Sequence, residues 1–190
     1  MAKTICKTIY FAKPGPENTE ETLKLAKKRA DELNIRNIII SSTTGETGTK
    51  ASKLFKNHNL IIVSHVTGFR KPNYQEFLPK NRTTIENNGA KILTTAHAFG
   101  TLGRATKNKF GTIQIDGIIS TVLRLFGQGV KVCCEISCMA ADAGLIVAGE
   151  EAVAVGGTKS GVDTAIVLKP SNTHSFFDSK INEVICKPRL

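Results

Sequence analysis

The chain has 190 residues, 41% hydrophobic and 22% charged, a globular composition with room for one packed core, and no apolar run long enough to span a bilayer. Its net charge of +10 is one-sided: residues 1–109 hold 19 Lys/Arg against 8 Asp/Glu, while 110–190 hold 7 against 8. That field favours anionic ligands, but with 6% aromatics and no recognised binding motif, neither nucleic acid nor a membrane is expected as a partner.

Residues 4–12 are β-rich and predict a strand, broken by Pro14-Gly15-Pro16. Asn18 predicts a helix cap, with Glu21 completing a capping box, and Leu23, Ala26, Ala30 and Leu33 share the apolar face that follows. Asn37 to Ser42, with Ile38-Ile39-Ile40, reads as a buried parallel strand. A Thr/Gly loop then leads into a helix with Ala51, Leu54 and Phe55 facing inward. Asn59 to Val66 predicts a second buried strand, Pro79 to Asn88 a helix closed by Gly89, and Lys91 to Ala96 a further strand. The alternation predicts βαβ units around a mostly parallel central sheet with helices on both faces.

Beyond it, Gly100 to Gly111 reads as a glycine- and lysine-rich loop. Ile115 to Phe126 and Val130 to Ala143 have helical periods, the second ending at Gly144 as C′ residue. The apolar face of the first leaves room for a homo-oligomer as well as for burial within the chain. Val153 to Val155 and Thr164 to Leu168 predict antiparallel additions, and Lys180 to Cys186 an edge strand. With no repeat or linker, residues 1–190 form one α/β domain in this reading.

The start Met1-Ala2-Lys3-Thr4-Ile5-Cys6 lacks a signal-peptide core, which predicts a cytoplasmic chain. Cys6, Cys133, Cys134, Cys138 and Cys186 form no scaffold spacing and read as reduced, mostly buried thiols. Cys134 and Cys138 share a helix face, as do Glu135 and Asp142; packing suits the first pair, and a solvent-facing or subunit-contact role the second.

Chemistry concentrates in Ser41-Ser42-Thr43-Thr44-Gly45-Glu46-Thr47-Gly48-Thr49-Lys50, between a buried strand and a helix. A helix N-terminus offers free N–H groups and a positive dipole end, which an anion satisfies together. One cap needs one hydroxyl, whereas six of the nine residues from Ser41 to Thr49 are Ser or Thr. Gly45 and Gly48 permit close backbone approach, and Lys50 adds charge.

Two other strand ends belong on the same rim: Ser64-His65-Val66-Thr67-Gly68-Phe69 and Thr94-Thr95-Ala96-His97-Ala98-Phe99. His65, Thr67, Gly68, Thr95 and His97 are candidates for ligand contact, and Phe69 and Phe99 for ring flanks or core plugs. Gly156-Gly157-Thr158, with Asp163, is a second glycine-rich candidate that also reads as a hairpin turn. No third ligand stands by the histidines, so no metal is expected. No residue is identified as catalytic.

Ser42, Thr44, Gly45 and Thr47 resemble the flavodoxin phosphate loop, which holds the phosphate of flavin mononucleotide (FMN), although here the loop follows the second strand. More broadly, the strand–Thr-Thr-Gly–helix step, Leu60-Ile61-Ile62-Val63-Ser64 and Ala140-Ala141-Asp142-Ala143-Gly144-Leu145 resemble the C-terminal α/β domain of pyruvate kinase. The resemblance implies a three-layer fold, a phosphate-holding loop at Thr43 to Thr49, and FMN as cofactor. It does not imply pyruvate kinase activity, because the catalytic barrel is absent. The expected function is therefore binding of a phosphorylated small molecule, FMN first. The alternatives are a small FMN-dependent oxidoreductase and an allosteric sensor of a phosphorylated metabolite.

Overall fold

The computed structural model describes residues 5–189. Seven strands form one sheet: β1 (Ile9–Phe11), β2 (Asn37–Ser41), β3 (Asn59–Val63), β4 (Lys91–Leu93), β5 (Ala152–Gly156), β6 (Thr164–Lys169) and β7 (Lys180–Pro188). Their spatial order is β1-β7-β6-β5-β2-β3-β4. Both β5–β6 and β6–β7 are antiparallel and the other four pairings parallel, so β6 alone is reversed.

Helices α1 (Thr19–Glu32), α2 (Glu46–Leu54) and α3 (Pro79–Asn87) cover one face, and α4 (Leu102–Phe110), α5 (Ile115–Arg124) and α6 (Gln128–Asp142) belong to the β4–β5 crossover, with α6 packed on the other face. The triple isoleucine explains why β2 is central. Ile38 and Ile40 point into the core under α1–α3, Ile39 into the core under α6, and all three are fully buried. Alternate side chains of a strand face opposite sides, so a strand buried on both must be apolar throughout.

The chain runs β2, β3, β4 outward in one direction, then returns through α4–α6 to place β5 on the opposite side of β2. The helix after β2 and the helix before β5 therefore lie on opposite faces. This reversal of strand order opens a crevice at the carboxyl ends of β2 and β5.

Several expectations need correction. The segment 100–111 is largely helix, because Arg104, Ala105 and Lys107 are good helix formers and Gly111, at φ 72°, closes it. Asn18 precedes α1 but caps nothing: a 3₁₀ turn over Pro16–Asn18 turns its side chain back to the Lys13 carbonyl (2.8 Å). Strand β7 is interior, since β1 pairs with it in parallel and takes the edge. Strands β3 and β4 stop at Val63 and Leu93, and Leu54 is partly exposed. The first predicted strand shrinks to Ile9–Phe11, and its predicted start at Thr4 lies outside the described residues. Along α5 the apolar residues Ile115, Ile118 and Val122 are exposed.

Other readings hold. Gly89 and Gly144 terminate α3 and α6 at φ 81° and 66°. The cysteines are free thiols, all but Cys6 buried. Among the described residues, no helix is long and apolar enough to cross a membrane.

Candidate functional site

The crevice is a cavity of about 420 Å³. Its polar end is the N-terminus of α2, where Thr43, Thr44, Glu46 and Thr47 line the wall. The preceding residue, Gly45, sits at φ 90°. A Cβ there would fall 2.7 Å from Asn81 Cβ and 2.8 Å from the Phe77 ring. Glycine is thus required twice, for the left-handed backbone and for the approach of α3. Asn81 Nδ2 and the Leu78 N–H both donate to the Thr44 carbonyl (2.9 and 3.1 Å), which fixes the turn.

Ser42 accepts the Gly48 N–H at 3.1 Å, and the Thr49 N–H goes to the Gly45 carbonyl at 2.8 Å. Among the described residues, no hydrogen bond takes up the N–H groups of residues 43–47. Four of these residues, Thr43, Thr44, Glu46 and Thr47, line the cavity, and the start of a helix is where free amides and the positive dipole end can receive an anion.

The second wall follows β3. His65 Nδ1 lies 2.8 Å from Glu76 Oε2, and His65 Nε2 lies 3.4 Å from Thr43 Oγ1. Glu76 is buried and also meets Arg70 Nε at 2.5 Å. The His65 ring stands 5.4 Å from that of His97, and Phe69 packs against both. His97 Nε2 accepts the Val66 N–H (3.2 Å). Burial lowers the His97 pKa from its ordinary value, partly opposed by the Glu135 carboxylate.

The third wall is a stripe of α6: Gln128, Val132, Glu135, Ile136 and Met139. Gly156 lets β5 approach the start of α6, since a Cβ there would meet the Gly129 carbonyl at 2.8 Å. Glu135 and Lys131 form a buried ion pair, and Glu135 Oε1 also accepts the Phe99 N–H (3.0 Å). Burial lowers the Lys131 pKa, while the Glu135 charge counters it. Gly157, Thr158, Lys159, Ser160 and Gly161 close the cavity beside Pro16 and Thr19.

The fold thus gathers Ser42, Thr43, Thr44, Glu46, Thr47, His65, His97, Gly157 and Thr158 around one cavity. It uses the other candidates differently. Gly48 is helical, and a Cβ there would meet Ile85 and Ile62 (2.8 and 2.9 Å), so it lets α2 sit close to the sheet. The Thr49 hydroxyl is buried without a hydrogen-bond partner among the described residues, and Thr49 does not line the cavity. Thr67 and Gly68 are exposed and shape the loop after β3: Thr67 accepts from Gln75 Nε2 (3.2 Å), and Gly68 N–H donates to the Tyr74 carbonyl (2.9 Å). Phe69 flanks the histidines from outside under Arg104, whereas Phe99 is a core plug. Thr95 lines a separate cavity of about 310 Å³ with Asp142 and Thr173. Asp163 is fully buried and accepts the Thr158 and Thr164 hydroxyls (2.8 and 2.9 Å), which positions Thr158. Lys50 meets Glu20 at 3.1 Å.

Glu135 is neither solvent-facing nor paired with Asp142, which instead caps Thr173 at 2.6 Å through its side chain. Sequence reasoning missed Glu76, Arg70 and the α6 stripe. Val132, Ile136 and Met139 have the spacing of ordinary helix packing, Gln128 precedes the predicted helix, and Glu135 drew notice only as a partner for Asp142. Glu76 carries no local signal, because a loop alone brings it to His65.

Over residues 20–168 the chain matches the family described as the pyruvate kinase, alpha/beta domain. Among solved structures it is similar to a pyruvate kinase from Cryptosporidium parvum, with 19% identity and a TM-score of 0.40, covering 78% of this chain and 22% of that one. It is also similar to the Cryptosporidium parvum pyruvate kinase in complex with ADP, with 18% identity and a TM-score of 0.39, covering 88% and 23%. The chain spans less than a quarter of the length of these enzymes.

Proposed function

This chain belongs to the pyruvate kinase alpha/beta domain family, and from that premise we propose that it binds a phosphate-bearing small ligand, FMN first, in the crevice between β2 and β5. The observation that supports the reading is the start of α2, where, among the described residues, the N–H groups of residues 43–47 have no internal acceptor and Thr43, Thr44, Glu46 and Thr47 line the cavity. A phosphate seated there gains charge-assisted hydrogen bonds without needing a metal.

The remainder of the cavity favours a ligand with a flat, partly apolar body. Val63, Val132, Ile136 and Met139 give an apolar surface, and the His65 and His97 side chains line the same space. A volume of about 420 Å³ falls within the usual span of small-molecule sites. The basic excess of residues 1–109 adds attraction for a phosphorylated molecule.

The test is a titration of purified protein with FMN, with riboflavin, which lacks the phosphate, and with a sugar bisphosphate. FMN is expected to quench on binding, and riboflavin to bind at least about tenfold more weakly, the loss of one charge-assisted contact. Reduction of the bound flavin by a nicotinamide donor would place the protein among oxidoreductases. Preference for the sugar bisphosphate over FMN would make it a metabolite sensor on the same loop. If none of the three binds, the phosphate reading is wrong.

A further inference from the structure

Helix α5 is apolar on two sides. Ile119 and Leu123 pack it against α6 and join the core beneath that helix. The opposite side carries Ile115, Ile118, Val122 and Leu125, all exposed, Leu125 to 75%. A helix with apolar residues on both faces is at home where both are covered. The outer set is spaced by three, four and three residues, the pattern of a coiled-coil seam rather than of the broader stripe that faces a core. The positions flanking the seam, Gln114, Thr121, Ile119 and Phe126, carry no charge. The nearest charges are turned aside. The Asp116 carboxylate lies against Gly103 of α4, and Arg124 donates to Gln128 Oε1 (2.7 Å) and Ser120 Oγ (3.2 Å) of its own chain.

We propose that this face is the contact between two copies of the chain, with α5 packed antiparallel to α5 of the second copy about a two-fold axis beside Ser120. In that register Ile115 meets the partner's Leu125 and Ile118 meets the partner's Val122, each contact formed twice, because both pairs are centred on position 120. Ile113 and Phe126 extend the patch at its ends. The six apolar side chains from 113 to 126 expose roughly 700 Å², above the about 300–600 Å² of the largest apolar patch on a typical monomer and close to the roughly 800 Å² that each partner gives to a standard stable interface. A narrow seam whose two halves complement each other on reversal suits a second α5 better than a lipid surface, which requires no register. The inference is independent of what fills the crevice.

The test is sedimentation velocity on the whole chain, from about 1 to about 100 µM. The wild-type protein should reach a species of twice 20.5 kDa. Each copy carries a net charge of +10, so association should tighten between about 50 and about 500 mM salt as the mutual repulsion is screened. Ile118→Lys and Val122→Glu should each weaken self-association by more than about 100-fold, since the two-fold axis buries the new charge twice. Mixed in equal amounts, the two variants should recover a heterodimer, because the register sets the introduced ammonium of one chain against the introduced carboxylate of the other. Both positions are exposed, so the urea midpoints of the separate variants should match that of the wild type. Should either variant unfold, Ile115→Lys with Leu125→Glu repeats the cross on the outer pair.

A wild-type chain that stays monomeric at about 100 µM in high salt overturns the proposal. So does a dimer that neither substitution weakens, which places the contact elsewhere, and so does a mixture of the two variants that remains monomeric. Co-sedimentation of a monomeric wild-type chain with vesicles of phosphatidylcholine and phosphatidylglycerol in equal parts, abolished by Val122→Glu and weakened by salt, assigns the face to lipid and overturns it as well.

Discussion

Replacing Thr44 and Thr47 together by Val separates binding from folding. Both residues line the cavity, and neither hydroxyl is engaged by a hydrogen bond among the described residues. Valine keeps the shape and the β-branch, so the folded chain loses no internal bond and stability should stay within about 0.5 kcal/mol. Each lost donor to a charged oxygen costs about 1.5–3 kcal/mol, or about 3–6 kcal/mol for the pair. FMN affinity should therefore fall about 10²- to 10⁴-fold, with residual binding from the backbone amides. Flavin fluorescence titration gives the affinity and a urea midpoint the stability. Unchanged affinity would remove residues 43–47 from the site. A stability loss above about 2 kcal/mol would show that these hydroxyls serve the interior instead.

Gly45→Ala should destabilise the fold by about 2–5 kcal/mol, the left-handed backbone costing about 1–2 and the clash with Asn81 and Phe77 about 1–3; a urea midpoint like that of wild type would contradict the turn geometry. Glu135→Ala should cost about 3–5 kcal/mol, because it strands Lys131 as a buried unpaired charge and leaves the Phe99 N–H without its acceptor; denaturant unfolding measures it. His58 and His97 both have pKa values lowered by burial, so the folded chain binds their protons less readily than the unfolded chain does. The stability they contribute is complete above the unfolded histidine value, about 6.5, and is lost as pH falls toward their lower folded values. Unfolding midpoints without ligand should therefore drop between about pH 7 and pH 5, and His97→Asn should flatten the decline.

The alternation of apolar runs with helical periods was enough to establish the α/β class. Ile38-Ile39-Ile40 has the pattern of a buried parallel strand, and Ser41 to Thr49 marked the start of α2 as chemically unusual. These signals are local: strand periodicity and hydroxyl density are readable within ten residues. Local pattern also misled, since the glycines near residue 100 outweighed the helix formers between them, and nothing near Lys180 announces that β1 will pair with β7 from the far end of the chain.

The roles of individual residues needed the third dimension. Gly45 and Gly48 look alike in sequence, yet one shapes the loop at positive φ and the other packs a helix against Ile62 and Ile85. Glu76 reaches His65 across eleven positions, and the α6 stripe arrives from beyond residue 127 to complete the cavity. Sequence order fixes which strand each loop follows. Only the reversal of strand order between β5 and β2 decides that these loops face one another, because pairing across the sheet is a non-local choice that buries both faces of β2 at once.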